Sequence, residues 1–297
     1  MSKPIECWHG VNSSPSYYPF EICSRILVPF NLVYEGKIKL EWVKEMQDKD
    51  IKIMIDSGAA RYYLNTNQGY PKDYLAEYLD FLEELKPDWA FALDFCFENL
   101  EFRVNKKLQH NIISQINSMG QARERGLVLL PVVQGWDKKS YQYSASITNN
   151  FLRMYNKKEF GVGSICRAEK KRVGQVLSWI CKIIDLNNAH CFGQTQRTIP
   201  ILRKFGFARV DTSNASGNAG HRCYCDPFGN WFYGQKSPHN PKHYFEKLEL
   251  PTQEFYHLLF QLNYESLEHS CDKVPKNWVH RVHKNRIDNY CEVKSHA

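Results

Sequence analysis

The chain has 297 residues and a formal net charge of +7 at pH 7; 43% of its residues are hydrophobic and 14% are aromatic. This composition is typical of a folded globular protein and excludes a disordered or fibrous one. No apolar run approaches the ~20 residues of a membrane span, and the opening MSKPIECWHG lacks the hydrophobic region of a signal peptide. We therefore expect a cytoplasmic protein without a membrane partner. Its basic charge suits nucleic acid, although many basic proteins bind small molecules.

Eight short segments rich in β-branched and aromatic residues are predicted to be strands. In chain order they are IECWHG, RILVPFNLV, IKIMIDSG, WAFALDF, LVLLPVVQG, FGVGS, AHCFG and FARVDTS. Amphipathic segments lie between the later strands, at residues 71–85, 101–125 and 168–186 among others. Repeated alternation of strand and helix predicts an α/β fold of the TIM-type (β/α)8 barrel class, with an open doubly wound sheet as the alternative.

The pattern changes after Asp211. The segment HRCYCDPFGNWFYGQ alternates around the turn signal DPFGN, which predicts an inserted β-hairpin. The segment TQEFYHLLFQLNYESLEHS has the apolar stripe of a helix, and the basic stretch KNWVHRVHKNR follows it. We therefore predict a barrel catalytic domain at residues 1–235 and a C-terminal helical extension, packed on the barrel, at residues 236–297.

Polar side chains end four of the predicted strands: Asp56, Asp94, Gln134 and Asp211. An aspartate after a strand is commonly a helix cap or a turn residue, and for any one position that is the commoner use. In a barrel, however, the carboxyl ends of the strands converge on the face that carries the active site. The four together therefore favour a carboxylate-based site. Gly161 and Gly163 in FGVGS would let a flat ligand approach the backbone, and no phosphate-loop motif accompanies them.

The motifs IDSGAA, ALDF, PVVQG, FGVGSICRAE and ARVDTSNAS follow one another over residues 51–216. As an ordered set they resemble the active-site motifs of the tRNA-guanine transglycosylase superfamily. The short chain and the DSGA form resemble more closely its DNA-modifying branch, the DpdA-like 7-deazaguanine transglycosylases of bacteria and phages. The resemblance implies an enzyme of a bacterium or a phage-infected cell that exchanges guanine in DNA for a base such as 7-cyano-7-deazaguanine.

The resemblance also implies a role for each matching residue. Asp211 would be the nucleophile that forms a covalent glycosyl-enzyme, and Asp56 would be the general acid and base. The base would be bound by Ser57, Asp94, Gln134, Gly161 and Gly163. Exchange at one anomeric carbon with retention needs two displacements, and therefore a carboxylate nucleophile and a second acid/base group. A carboxylate acceptor also suits the donor edge of guanine, the role expected of Asp94.

The expected partners are DNA and the free base, while helper proteins or a homodimer stay open. The target guanine must be flipped out of a duplex or presented in a single strand. Its flanking phosphates would contact basic residues, and its base would stack on an aromatic ring. The basic candidates are Arg61, Arg167 and Arg222, and the aromatic candidates are Tyr62, Tyr63, Phe95 and Phe97.

The exchange needs no cofactor, but the tRNA-modifying members hold a structural zinc ion with a CxCxxC cluster and a distant histidine. Here HRCYCDPF supplies Cys223 and Cys225 without a third cysteine at that spacing. One interpretation is a zinc site completed by His221, His257 or Cys271, and the other is packing of two cysteines on one strand. The ten cysteines lie mostly in apolar segments, so free thiols are expected elsewhere.

Three alternative functions stay open. The same chemistry could act on tRNA. The chain could be a non-catalytic, nucleic-acid-binding partner subunit that keeps the barrel without the reaction. An unrelated barrel glycosidase or nucleoside hydrolase would release free base from small nucleosides and ignore polymers.

Overall fold

The computed structural model describes residues 5–11, 19–65, 69–98, 103–166, 168–213, 224–225, 231–232 and 252–271. Its strands are β1 (Glu6–Gly10), β2 (Arg25–Pro29), β3 (Lys52–Asp56), β4 (Trp89–Ala90), β5 (Val132–Val133), β6 (Phe160–Val162), β7 (Ala189–Cys191), β8 (Arg209–Thr212), β9 (Tyr224–Cys225) and β10 (Trp231–Phe232). Its α-helices are α1 (Phe30–Tyr34), α2 (Leu40–Asp48), α3 (Tyr74–Leu85), α4 (Asn105–Glu124), α5 (Lys138–Met154), α6 (Lys170–Ile180), α7 (Ile199–Lys204) and α8 (Thr252–Cys271). Each of the eight predicted strand segments contains one of the strands β1 to β8.

The first eight strands form one parallel sheet in the order β4-β3-β2-β1-β8-β7-β6-β5. Its two edges also meet. Phe91, just after β4, forms a parallel bridge with Leu130, just before β5. The backbone N–H of Leu130 donates to the carbonyl of Ala90 at 2.8 Å. The sheet is therefore curled so that its edges come together, which is consistent with a TIM-like barrel.

The strands bury both of their faces. A cluster of large apolar side chains fills the inner side of the curled sheet and includes Trp8, Leu27, Met54, Phe91, Leu130, Val132 and Phe192. A larger cluster lies between the outer side and the helices. Strands that are covered on both faces need apolar residues at nearly every position, and this explains their continuous hydrophobic runs.

Helix α8 packs on the outer side of β1. The ring centroids of His9 and Tyr264 lie 4.6 Å apart, and Nε2 of His9 lies 3.0 Å from Oε1 of Glu268. The guanidinium of Arg203, on α7, donates to the carbonyl of Ser270 at 2.9 Å. These contacts place α8 in the outer helical layer beside α7, where a (β/α)8 fold has the helix that follows its eighth strand. The division at residues 235 and 236 stays a prediction.

The described part of the predicted hairpin is an antiparallel pair, in which Cys225 faces Trp231 and Tyr224 faces Phe232. The rest of that segment, and the basic stretch after α8, lie outside the described residues. None of the helices in the described ranges is both long enough and apolar enough to span a membrane.

Candidate active site

The four polar residues predicted at strand ends all line one cavity. It has a volume of about 410 Å³ and lies at the carboxyl ends of the strands, and its lining includes Asp56, Asp94, Gln134 and Asp211. The volume falls within the range of ~300–1,000 Å³ that is common for small-molecule sites. Parallel strands bring their carboxyl ends to the same edge, so residues far apart in the chain share this cavity.

Asp94 is only 4% exposed and belongs to a hydrogen-bond network with Ser57 and Gln134. Its Oδ1 accepts a hydrogen bond of 2.6 Å from the hydroxyl of Ser57, and its Oδ2 accepts one from Nε2 of Gln134. Burial raises the pKa of the Asp94 carboxyl, and these two hydrogen bonds partly offset that rise. The Tyr70 hydroxyl lies 2.9 Å from the carbonyl oxygen of Asp94.

The amide of Gln134 is held in one orientation. Its Oε1 accepts from the hydroxyl of Ser164, so its Nε2 faces Asp94. Its backbone N–H donates to the Ser144 hydroxyl on α5 at 3.0 Å. A Cβ atom at Gly163 would lie 2.8 Å from Cδ of Gln134. Gly163 therefore makes room for the Gln134 side chain and also lines the cavity.

Asp56 is the last residue of β3 and faces the cavity. Its Oδ2 accepts a hydrogen bond of 3.2 Å from the backbone N–H of Gly58. Burial raises the pKa of Asp56 to about 7, and the negative charges of Asp94 and Asp211 add to the rise. Both protonation states are therefore populated near neutral pH, as a general acid and base requires.

The Asp-Ser-Gly turn depends on Gly58. Its φ angle is +79°, in the region that favours glycine, and a Cβ atom there would lie 2.8 Å from the Tyr74 hydroxyl. The turn directs Asp56 into the cavity while Ser57 is fully buried. The sequence of small residues after β3 is thus required by the backbone conformation.

Asp211, in β8, is 8% exposed and has two hydrogen-bond partners on one oxygen. Its Oδ1 lies 2.9 Å from Nε2 of His190 and accepts a hydrogen bond of 3.0 Å from the backbone N–H of Gly193. His190 itself is buried in β7. The neighbouring strand β7 and the turn that follows it therefore hold the Asp211 carboxylate in place.

Two of the predicted base-binding residues do not line the cavity. The side chain of Ser57 instead donates a hydrogen bond to Asp94. Gly161 lies in the middle of β6, where a Cβ atom would come within 2.5 Å of Cε2 of Phe192. A glycine is needed there for packing inside the sheet.

Among the described residues, the aromatic ring that lines the cavity is Phe192, which was not among the stacking candidates. Tyr63 and Phe95 stack on each other with centroids 4.3 Å apart, and Tyr62 packs against Tyr70 at 5.4 Å. These side chains and Phe97 do not line the cavity. The flanking residues of a strand end are hard to orient from sequence because alternation breaks down where the strand stops.

Arg61 lies at the mouth of the cavity. Its Nε donates to Oε1 of Glu35 at 2.6 Å, and Nζ of Lys37, which also lines the cavity, lies 2.6 Å from the other oxygen of Glu35. The remaining phosphate-binding candidates, Arg167 and Arg222, lie outside the described residues.

The predicted zinc ligands cannot be compared with the structure, because Cys223 lies outside the described residues and only the backbone of Cys225 is described. A different group of metal-ligand type lies on the outer side of β1. The ligand atoms of Cys7, His9 and Glu268 all lie within 4.8 Å of one another. The short His9–Glu268 contact is equally an ordinary hydrogen bond, so this is a weak candidate. Six of the described cysteines form no disulfide: Cys7, Cys23, Cys96, Cys166, Cys181 and Cys191.

Sequence reasoning missed His190 and Ser164. His190 lies inside the predicted strand AHCFG, and period-two alternation places it on the same face as Phe192. That alternation could have marked it as an inward residue. Ser164 has a φ angle of +54°, and no sequence pattern predicts this backbone conformation.

No protein-family model and no curated protein matches this chain.

Proposed function

We propose that the protein is a guanine transglycosylase with a (β/α)8 barrel fold, which exchanges guanine in DNA for a 7-deazaguanine base such as 7-cyano-7-deazaguanine. The observation that carries the proposal is the shared cavity of Asp56, Asp94, Gln134 and Asp211. The residues of the resembling motifs thus meet in one place. The two acids with the proposed reactive roles also have different surroundings, as acid and nucleophile require.

In the first displacement, a carboxylate oxygen of Asp211 attacks C1′ of the target nucleotide. The bond from C1′ to N9 breaks, and its electron pair leaves with guanine. Asp56 in its protonated form gives the departing base a proton. The raised pKa of Asp56, about 7, supports this step because the carboxyl group is still partly protonated at neutral pH.

In the second displacement, ionised Asp56 takes the N9 proton of the incoming deazaguanine. N9 then attacks C1′, and the electron pair of the ester bond returns to Asp211. Two inversions give overall retention, and the reaction consumes no water and no cofactor. A structural zinc ion at Cys223 and Cys225 stays a separate prediction.

Recognition of the base is assigned to the network around Asp94. A carboxylate that already accepts from Ser57 and Gln134 retains lone pairs for the N1–H and 2-amino groups of guanine. Phe192 lines the same cavity and offers an aromatic face. The amide of Gln134 is oriented by Ser164 and Asp94, and its Nε2 carries a second N–H that can donate to a ligand.

The polymer substrate is proposed to be DNA with its target guanine flipped out or single-stranded. Lys37 and Arg61 lie at the mouth of the cavity, where they could contact the flanking phosphates. The net charge of +7 favours a polyanion in the same way.

The test is loss of radiolabelled guanine from single-stranded DNA, double-stranded DNA and tRNA, each incubated with 7-cyano-7-deazaguanine. Asp211→Ala removes the nucleophile, and Asp48→Ala, at an exposed position on α2, is the matched control. Loss of label from DNA with the wild type and the control, but not with Asp211→Ala, supports the proposal. Exchange with tRNA alone would reassign the polymer. Release of base from free nucleosides alone would indicate a hydrolase, and no reaction at all would favour the non-catalytic subunit.

A further inference from the structure

A buried histidine contacts the proposed nucleophile. His190 is 2% exposed, and its Nε2 lies 2.9 Å from Oδ1 of Asp211. Its ring is packed between aromatic neighbours, with centroids 5.5 Å from Phe91 and 4.8 Å from Phe192. The imidazole is thus fixed beside Asp211 by its packing.

The Asp211 contact is the one polar contact of the imidazole among the described residues. The other ring nitrogen, Nδ1, is buried without a hydrogen-bond partner in the described part of the chain. Burying a polar ring with one nitrogen unsatisfied costs stability, and an apolar residue would fill the same space without that cost. The contact with Asp211 therefore indicates a functional role for His190, because core packing alone would favour an apolar side chain.

The two donors also distinguish the oxygens of Asp211. His190 and the backbone N–H of Gly193 both contact Oδ1. An ionised carboxylate only accepts hydrogen bonds, so Nε2 carries the proton of this contact. Oδ2 has no such donor among the described residues and is the oxygen with its lone pairs available.

We propose that His190 is a positioning residue that makes Oδ2 of Asp211 the attacking atom and Oδ1 the anchored one. This inference rests on the proposed function. In the first displacement Oδ2 forms the bond to C1′ while the electron pair of the C1′–N9 bond leaves with the base, which takes a proton from Asp56. Oδ1 becomes the carbonyl oxygen of the ester and keeps both donors.

The same donors have unequal effects on the two displacements. In the second one, the electron pair of the C1′–Oδ2 bond returns to the carboxylate, and the negative charge spreads to Oδ1. A donor at Oδ1 stabilises that charge as it develops, so it makes Asp211 a better leaving group. Removal of His190 should therefore slow the second displacement more than the first, and the covalent intermediate should accumulate.

The experiment follows the protein–DNA adduct on denaturing gels after rapid quenching, first during its formation and then during a chase with 7-cyano-7-deazaguanine. His190→Phe keeps an aromatic ring without a donor. His190→Gln places an amide nitrogen near the position of Nε2, whereas the shorter His190→Asn does not reach it. His9→Phe is the matched control, because His9 is equally buried and bonded to a carboxylate, that of Glu268, on the outer side of β1.

We expect His190→Phe and His190→Asn to slow the chase about 10- to 100-fold, as loss of one donor to a developing charge does. His190→Gln should restore most of the rate, and His9→Phe should leave the ratio of chase to formation unchanged. Equal chase rates in His190→Asn and wild type, or a His190→Gln variant as slow as His190→Asn, would overturn the inference. If the wild type forms adduct and the variants give either of these two results, only the role of His190 is refuted. A wild type that forms no adduct refutes the proposed function and this inference with it.

Discussion

Ser57 and Asp94 lie 37 residues apart and are joined by a hydrogen bond of 2.6 Å from Oγ to Oδ1. Ser57 is fully buried, whereas its neighbour Asp56 faces the cavity. The Asp-Ser-Gly turn therefore supplies two side chains with different tasks. One is available to a ligand, and the other donates a hydrogen bond to the carboxylate of Asp94, which lies beyond the end of β4.

Replacing Ser57 with alanine should lower both the stability of the protein and its affinity for the base. The change removes a donor from a buried carboxylate, so the pKa of Asp94 should rise further. We expect a loss of about 1–3 kcal/mol in the free energy of unfolding and about a tenfold higher KM for the deazaguanine base. Urea denaturation and exchange kinetics measure the two effects. Ser146→Ala is the control, since that hydroxyl donates to the Gln142 carbonyl on the exposed side of α5. An unchanged KM would show that Ser57 does not contribute to base binding.

Gly163→Ala should displace Gln134. The new methyl group would lie 2.8 Å from Cδ and from Oε1 of Gln134, so the amide would have to move away from Asp94. We expect a destabilisation of about 1–3 kcal/mol and at least a tenfold weaker affinity for the base, measured by denaturation and calorimetric titration. Gly120→Ala on α4 is the control: it meets no atom within 4 Å and should raise helix stability by about 0.5–1 kcal/mol. Lost stability with intact base affinity would make Gly163 a packing residue only.

The pH dependence of stability should change in Asp56→Asn. The native pKa of Asp56, about 7, is above that of the unfolded chain, so its contribution is most favourable at low pH and is lost as pH rises toward 7. The asparagine side chain does not ionise, so the variant does not lose this stability as the pH rises. We expect Asp56→Asn to be more stable than wild type by about 4 kcal/mol at pH 8 and nearly equal to it at pH 4. Parallel urea denaturation of the two proteins measures this difference, and equal stability at both pH values would contradict the raised pKa.

The same substitution should abolish base exchange, while wild-type exchange should have a bell-shaped profile centred near pH 7. The protonated form serves the first displacement and the ionised form serves the second. Rates measured from pH 5 to pH 9 give the profile. A rate that rises steadily through this range would show that Asp56 does not donate a proton.

Arg61→Ala should weaken binding of single-stranded DNA and reduce its salt dependence. Loss of one phosphate contact lowers the slope of log affinity against log salt by about 0.7. Lys49→Ala is the control, because Lys49 is also ion-paired, with Glu45 at 2.7 Å, but lies at the end of α2. Fluorescence anisotropy at several salt concentrations measures both slopes. Equal slopes for the two variants would place the DNA path elsewhere.

The eight strands and the polar residues at their ends could be predicted from sequence alone. Both are local patterns: strands that are covered on two faces are mostly apolar, and four of the predicted strand segments carry Asp or Gln near their carboxyl ends. The prediction that Asp56, Asp94, Gln134 and Asp211 share a pocket needed only the rule that parallel strands end on one side. The assignment to a transglycosylase family, and the ligands at Cys223 and Cys225, stay predictions.

The tertiary structure decided which of these side chains face the cavity and which ones hold their neighbours in position. The turn at Gly58 decides whether the Ser57 side chain faces the cavity or faces Asp94. Glycine is needed at position 161 because of the ring of Phe192, directly after the adjacent strand β7. The contact of His190 with Asp211 depends on the register of β7 against β8, which pairs Cys191 with Val210. A pKa near 7 at Asp56 requires burial and two further carboxylates nearby. Apart from the turn at Gly58, each of these depends on a distance between residues remote in the chain, and local sequence patterns do not encode such distances.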